Sequence, residues 1–169
     1  MIIIKMIILF LILLSTSLLG KMLAQKYVYR QKELQEIEGA LNILKNKIKF
    51  TYEPIPEIFN EISLNVSKNI GNIFRTASKN MEKQIAGISW EKAVDECRNY
   101  LKKEDRHALK NLGKMLGQTD VEGQISQIEI TEKFIEIQLK KATEERQKNE
   151  KLFTKLGTIL GLAIIIVLY

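Results

Sequence analysis

The stretch KMLAQKYVYRQKELQEIEGALNILKNKIKF, residues 21–50, decides the fold. Within it Leu23, Tyr27, Arg30, Leu34, Ile37, Leu41, Leu44 and Ile48 recur at intervals of 4, 3, 4, 3, 4, 3 and 4 residues. That spacing places all eight side chains on one face of an α-helix, as a heptad-like seam. The helix is expected to end by Glu53-Pro54-Ile55-Pro56, because proline disfavours helix in the residue before it and is well suited to open the next one.

Upstream, the only charge in residues 1–20 is Lys5, and Met6–Leu14 is an unbroken apolar run. Twenty helical residues reach roughly 30 Å, the thickness of a bilayer core. The hydroxyls of Ser15, Thr16 and Ser17 are compatible with such a span, since each can bond a carbonyl one turn back. A cleaved signal peptide is the competing reading, with Lys5 as its basic end. Lys21, Lys26, Arg30 and Lys32 follow with no acid before Glu33, and positive charge keeps that flank cytoplasmic. Residues 1–20 are therefore read as a retained anchor, continuous with the seam helix.

The other end mirrors this. Leu156–Tyr169 carries no charge, but its 14 residues span only about 21 Å. Leu152 and Phe153 extend it if Lys151 and Lys155 snorkel, and Tyr169 would sit in the far headgroup belt; a tilted or bilayer-thinning span is expected, with a shallow insertion as the alternative. Gly157 and Gly161 permit close helix approach, although in so short a segment the pair alone does not establish dimerisation. Basic residues flank both apolar ends on their inner sides. Residues 21–155 are thus expected to form one cytoplasmic domain between transmembrane segments 1–20 and 156–169.

That domain reads as all-α. Ile55, Ile58, Phe59, Ile62 and Val66 mark a second helix. Asn69, Gly71 and Asn72 punctuate it before Ile70, Ile73, Phe74, Ala77 and Met81 resume the period. After Ala86-Gly87, Ser89 is placed to cap a helix carrying Trp90, Ala93, Val94, Cys97 and Leu101. Ala108, Leu109, Leu112, Met115 and Leu116 mark another, ending near Gly117. Val121, Ile125, Ile128, Ile135, Leu139 and Ala142 form the last seam, and Ile130, Phe134 and Ile137 a second apolar stripe, which predicts burial on two sides. The expected architecture is a small bundle of about six helices flanked by N- and C-terminal transmembrane helices.

The chain's net charge is +6 over 169 residues, but the signs are mixed along the helices. This is the pattern of solvated helix faces, and no nucleic-acid partner is called; the basic flanks suit anionic lipid instead. The single cysteine, Cys97, excludes an intramolecular disulfide and reads as a buried, inert thiol. The single histidine, His107, lies among charged residues and reads as surface. No nucleophile–base set or phosphate loop is present. Thr119-Asp120-Val121-Glu122 fits a capping box, with Thr119 and Glu122 reciprocal and Asp120 complementing the helix dipole. A cation site at Asp120 and Glu122 is the competing reading. No enzyme activity and no cofactor is expected.

The segment Leu112-Gly113-Lys114-Met115-Leu116-Gly117-Gln118-Thr119-Asp120-Val121-Glu122-Gly123-Gln124 resembles the L-G-x-x-L-G-x-[ST]-D-x-E-G-Q motif of the stage III sporulation protein AB family. Tyr52–Glu57 and Asn149–Gly157 are similar to that family's Pro-rich helix entry and its run into the last membrane segment. Ile55 departs from the more usual Leu, and Leu44–Lys47 is more basic than the pattern. The resemblance implies a mother-cell membrane protein of an endospore former, a subunit of the stage III sporulation A apparatus that bridges the two membranes around the forespore. It also implies a domain like the cytoplasmic bundle of F-type platform proteins of type II secretion. The expected partners are the other subunits, above all the cytoplasmic ATPase, together with membrane lipid and, as a further possibility, a second copy of the chain. Gly113, Gly117, Thr119, Asp120, Glu122, Gly123 and Gln124 are the candidate interaction motif. Lys21, Lys26, Arg30, Lys32, Lys151 and Lys155 are the basic residues flanking the membrane. The alternative is a membrane-anchored helical adaptor for anionic lipid or another helical protein, unrelated to secretion.

Overall fold

A computed structural model describes residues 2–168; the headgroup position expected for Tyr169 lies outside the described residues. It contains six helices: α1 (Ile2–Phe50), α2 (Ile55–Asn65), α3 (Lys68–Met81), α4 (Ala86–Glu96), α5 (Lys103–Gly113) and α6 (Val121–Leu168). No strand occurs among the described residues. The chain divides into two compact units, one made of the α1 segment up to Gln31 with α6 from Lys141 onward, the other of Lys32–Lys140.

In the first unit two apolar helix segments lie against each other, each long and apolar enough to cross a membrane. Lipid is as apolar as leucine, so the hydrophobic effect cannot pair such helices; close backbone approach must do so. Small residues supply it. A Cβ on Gly20 would lie 2.5 Å from the Phe153 carbonyl oxygen and 3.1 Å from the Gly157 Cα. A Cβ on Gly157 would lie 2.6 Å from the Thr16 carbonyl oxygen, and one on Gly161 would strike Thr16 Oγ1. The G-x-x-x-G pair is therefore used within the chain, against Thr16 and Gly20. Ser15 Oγ donates to the Leu11 carbonyl and Thr16 Oγ1 to that of Ile12, as expected for hydroxyls in an apolar helix. Most other side chains of both segments, such as Phe10, Leu11, Ile159 and Leu160, are exposed. Toward the bundle end of this unit, Tyr27 stacks on Phe153 and Arg30 pairs with Glu145 at 2.9 Å.

The second unit has a conventional core. Leu34, Ile37, Leu41, Leu44 and Ile48 of α1 are buried, as the seam requires. Phe59, Phe74 and Trp90 form a three-ring cluster at its centre, with centroids 5.1–5.2 Å apart. Trp90 Nε1 donates to the Leu109 carbonyl, which ties α4 to α5. Glu33 joins three elements: its carboxylate accepts from Asn69 Nδ2 of α3 at 2.9 Å and from the Tyr100 backbone N–H in the α4–α5 loop at 2.6 Å.

Several boundaries depart from the sequence reading. The seam's first position is exposed Leu23, and Ala24 is buried in its place, because the paired segments need a small residue there. The break after α2 falls at Val66-Ser67, so Asn69, Gly71 and Asn72 lie inside α3. α4 starts at Ala86; Ser89 is within it, fully buried, and Ile85 occupies the cap position. Cys97 is the half-buried C-cap of α4, its thiol 3.7 Å from Thr76 Oγ1. α5 ends at Gly113, four residues before Gly117. The second stripe of α6 is not buried on the far side: Ile130 and Ile137 are exposed and Phe134 is half-buried, whereas Ile128, Thr131, Ile135 and Gln138 of the same unit are buried. A periodic pattern specifies which residues share a face, but not whether another element of the same chain covers it.

Two outcomes test this packing. Gly157→Val is expected to lower stability by about 1–3 kcal/mol, since the clash is with backbone that cannot move aside. Gly39→Ala should raise it by roughly 0.5–1 kcal/mol, because a Cβ there meets nothing within 4 Å. Both are read as thermal midpoints of the full chain in detergent. A third concerns pH. Burial holds the Glu33 carboxyl above its ordinary 4.5; nearby Glu36 reinforces the shift, and the hydrogen bonds from Asn69 and Tyr100 and the charge of Arg106 oppose it. The folded chain thus holds this proton more tightly than the unfolded one. The associated stability is complete below pH 4.5 and is lost as pH rises through the folded value. Relative to Glu33→Gln, the wild-type midpoint should fall as pH is raised through this window; a pH-independent offset would contradict the assignment.

Candidate interaction site at the α5–α6 turn

The segment Gly113–Gln124 forms the end of α5, an irregular turn and the start of α6. Gly113 is buried where α5 crosses α4. A Cβ there would lie 2.7 Å from Trp90 Cδ1, and one on Gly87 would lie 2.5 Å from the Gly113 carbonyl oxygen. Leu112 and Leu116 are buried beside it. Gly117 has φ +69°, the left-handed conformation that turns the chain back and that a Cβ would strain.

The start of α6 differs in detail from the expected capping box. The cap is Asp120, one residue later than Thr119, and its Oδ1 accepts the Gly123 N–H at 2.9 Å. The residue that reaches back is Gln124 rather than Glu122. Gln124 Nε2 donates to the Thr119 carbonyl at 3.1 Å, and its Oε1 accepts from the Gly117 N–H at 3.2 Å. The reason is geometric: with Gly117 in the left-handed region, the turn presents its N–H toward the first turn of α6, within reach of Gln124. Gly123 keeps this clear, since a Cβ would come within 2.9 Å of both Asp120 Oδ1 and Thr119 Oγ1. Glu122 is exposed. The structure therefore brings Gly117, Thr119, Asp120, Gly123 and Gln124 together in one hydrogen-bonded turn, while Gly113 packs underneath. Beside it, exposed Ile88, Lys114 and Gln118 line a surface cleft of about 220 Å³ with Gly87 and Glu91. The sequence reading did not select Gly87, Ile88 or Gln118 as site residues, because it placed Gly87 and Ile88 before a helix that in the structure already starts at Ala86.

The basic flanks divide. Lys21, Lys32, Lys151 and Lys155 are exposed. Lys26 is exposed too, its Nζ 5.0 Å from the centroid of the Tyr27 ring and 6.0 Å from that of Phe153. Arg30 differs: it is 4% exposed and held by Glu145, so it fastens α1 to α6 rather than offering free charge.

Six helices, two of them carrying paired apolar segments and a compact helical unit, define a membrane-associated helical-bundle protein. The family profile for stage III sporulation protein AB matches residues 5–169, and the chain belongs to that family. The stage III sporulation protein AB of Bacillus subtilis (strain 168) is 26% identical over 161 residues, covering 93% of this chain and 94% of that protein. A solved structure of a stage III sporulation protein AB superposes with a TM-score of 0.65 at 21% identity, covering 71% of this chain and 98% of that one. At that identity the superposition speaks for the all-helical fold.

Asp120→Ala is expected to cost about 1 kcal/mol of stability through the lost cap, whereas Asp120→Asn, which can accept the same Gly123 N–H, should cost a few tenths. Thermal midpoints of the two variants check this. Equal losses would mean that the carboxylate charge, not the cap, is what the turn uses.

Proposed function

We propose that this protein is a non-enzymatic platform subunit of the stage III sporulation A apparatus, set in the mother-cell membrane with its helical unit in the cytoplasm, where it docks the apparatus ATPase. Family membership carries the sporulation role. The platform role draws its support from the secondary structure: α1 and α6 are each a single helix, of 49 and 48 residues, containing both an apolar segment and core positions of the bundle. A motor's stroke can be passed on only through something anchored and stiff, and an unbroken helix is the stiffest element a single chain offers. The basic residues inside both anchors favour the cytoplasmic orientation. On this reading residues 1–20 and 156–169 are the membrane segments and 21–155 the cytoplasmic domain, with lipid and neighbouring subunits as the other contacts.

Among the candidate residues, the turn of Gly117–Gln124 acts as the frame that presents the cleft at Ile88, Lys114 and Gln118 to a partner. The test combines topology with capture. In a Cys97→Ser background, Gln118→Cys should be protected from impermeant thiol reagents in intact mother cells and labelled after lysis. Affinity capture of the full chain from sporulating membranes should retain the apparatus ATPase, and Lys114→Glu together with Gln118→Arg should reduce the yield at least several-fold with expression unchanged. Labelling of Gln118→Cys from outside, or no ATPase in membranes and in detergent alike, would overturn the reading.

A further inference from the structure

In the unit formed by the α1 segment up to Gln31 and α6 from Lys141 onward, a groove of about 640 Å³ runs beside α6. Thr143, Gln147, Lys151 and Lys155 recur every four residues along it, and Arg146, Glu150 and Thr154 form the adjacent row; Gln31 supplies the α1 wall. Residues four apart lie one above another on a helix, so two parallel rows of polar groups face one space. The charges are three cations and one carboxylate. The carboxylate is already committed, because Arg146 Nε donates to Glu150 at 2.9 Å and its Nη1 donates to Gln31 Oε1 at 2.8 Å. Arg146 is thereby held in place with further N–H donors to spare. Lys151 and Lys155 make no ion pair or hydrogen bond among the described residues. Two unneutralised ammonium groups and an oriented guanidinium thus border a cavity large enough for a small ligand.

What lies next to the groove selects the ligand. Lys155 is followed at once by the uncharged run Leu156–Leu168, and Leu152, Leu156, Ile159 and Leu160 are exposed on the same helix. A cationic polar groove followed along the same helix by exposed apolar side chains suits a molecule with an anion at one end and hydrocarbon at the other. We propose that this groove is a binding site for the headgroup of an anionic phospholipid, its phosphate held by Lys151, Lys155 and Arg146 and its acyl chains lying along the exposed leucines and isoleucines of α6. Basic pockets between helices at the inner membrane face are a recurrent place for such headgroups. The proposal rests on the membrane reading, not on the ATPase contact.

The test uses the full chain, delipidated in a neutral detergent, titrated with dihexanoyl phosphatidylglycerol, dihexanoyl phosphatidylcholine and inorganic phosphate, with binding read by native mass spectrometry and by intrinsic fluorescence. The phosphatidylglycerol is expected to bind at least tenfold more tightly than either of the others. Lys151→Gln with Lys155→Gln should weaken it on the order of tenfold or more, at about 1 kcal/mol per cation near the surface, with helicity unchanged. Lys79→Gln with Lys83→Gln, both exposed on the helical unit, removes the same charge outside the groove and should change binding less than twofold. Equal loss in both double variants would mean diffuse surface charge and would overturn the site. Equal affinity for phosphatidylcholine would overturn the anion selectivity, and phosphate binding as tightly as the lipid would replace the lipid by a free anion. If the chain fails to co-float with phosphatidylglycerol vesicles, both the membrane reading and this site fall; if it floats without lipid selectivity, the site alone falls.

Discussion

The approach of two glycines, Gly20 and Gly157, is the contact on which the paired-helix unit depends. Within an apolar solvent a helix already satisfies its own backbone and has no hydrophobic reason to find a neighbour. Only contact at backbone distance yields enough dispersion to hold two such helices in one register. Thr16, Gly20 and Ala24 on α1 and Gly157 and Gly161 on α6 provide a continuous surface of small residues for it. The register they set also brings Tyr27 onto Phe153, Arg30 onto Glu145 and Arg146 onto Gln31. A larger residue at either glycine would disturb all three pairs together.

The helical unit is held by a different force. Phe59, Phe74 and Trp90 come from α2, α3 and α4, and their mutual burial is ordinary hydrophobic core formation reinforced by edge and tilted ring contacts. Glycine serves here as well, but for crossing rather than for pairing the two apolar segments: Gly87 and Gly113 let α4 and α5 meet backbone to backbone beside Trp90. The segment Gly113–Gln124 is continuous with this crossing. Gly113 belongs to the core, Gly117 to the reversal of the chain, and Asp120, Gly123 and Gln124 to the start of α6. The glycines, Asp120 and Gln124 of the segment serve the geometry of this turn, whereas Lys114, Gln118 and Glu122 are exposed.

Exposed apolar side chains are concentrated in the two apolar segments, and others lie on the helical unit. Those of residues 3–23 and 152–168 belong to the two segments long and apolar enough to cross a membrane. Ile88, Ile130 and Ile137, among others, belong to the helical unit.

The all-α class, six helices, two apolar ends and the α1 seam from Leu34 to Ile48 were legible in the sequence, because helical periodicity and the length of an apolar run are properties of the chain itself. The motif was also legible, through its glycines and its acid. The tertiary structure decided where each helix starts, that Ser89 is core rather than cap, that Asp120 and Gln124 rather than Thr119 and Glu122 close the turn, and that Arg30 is a buried fastener. It decided too that Gly157 and Gly161 meet Gly20 and Thr16 of the same chain. The physical reason is common to these cases. A cap, an ion pair or a glycine contact is defined by the distance between atoms remote in sequence, and spacing along one helix carries no information about what lies opposite.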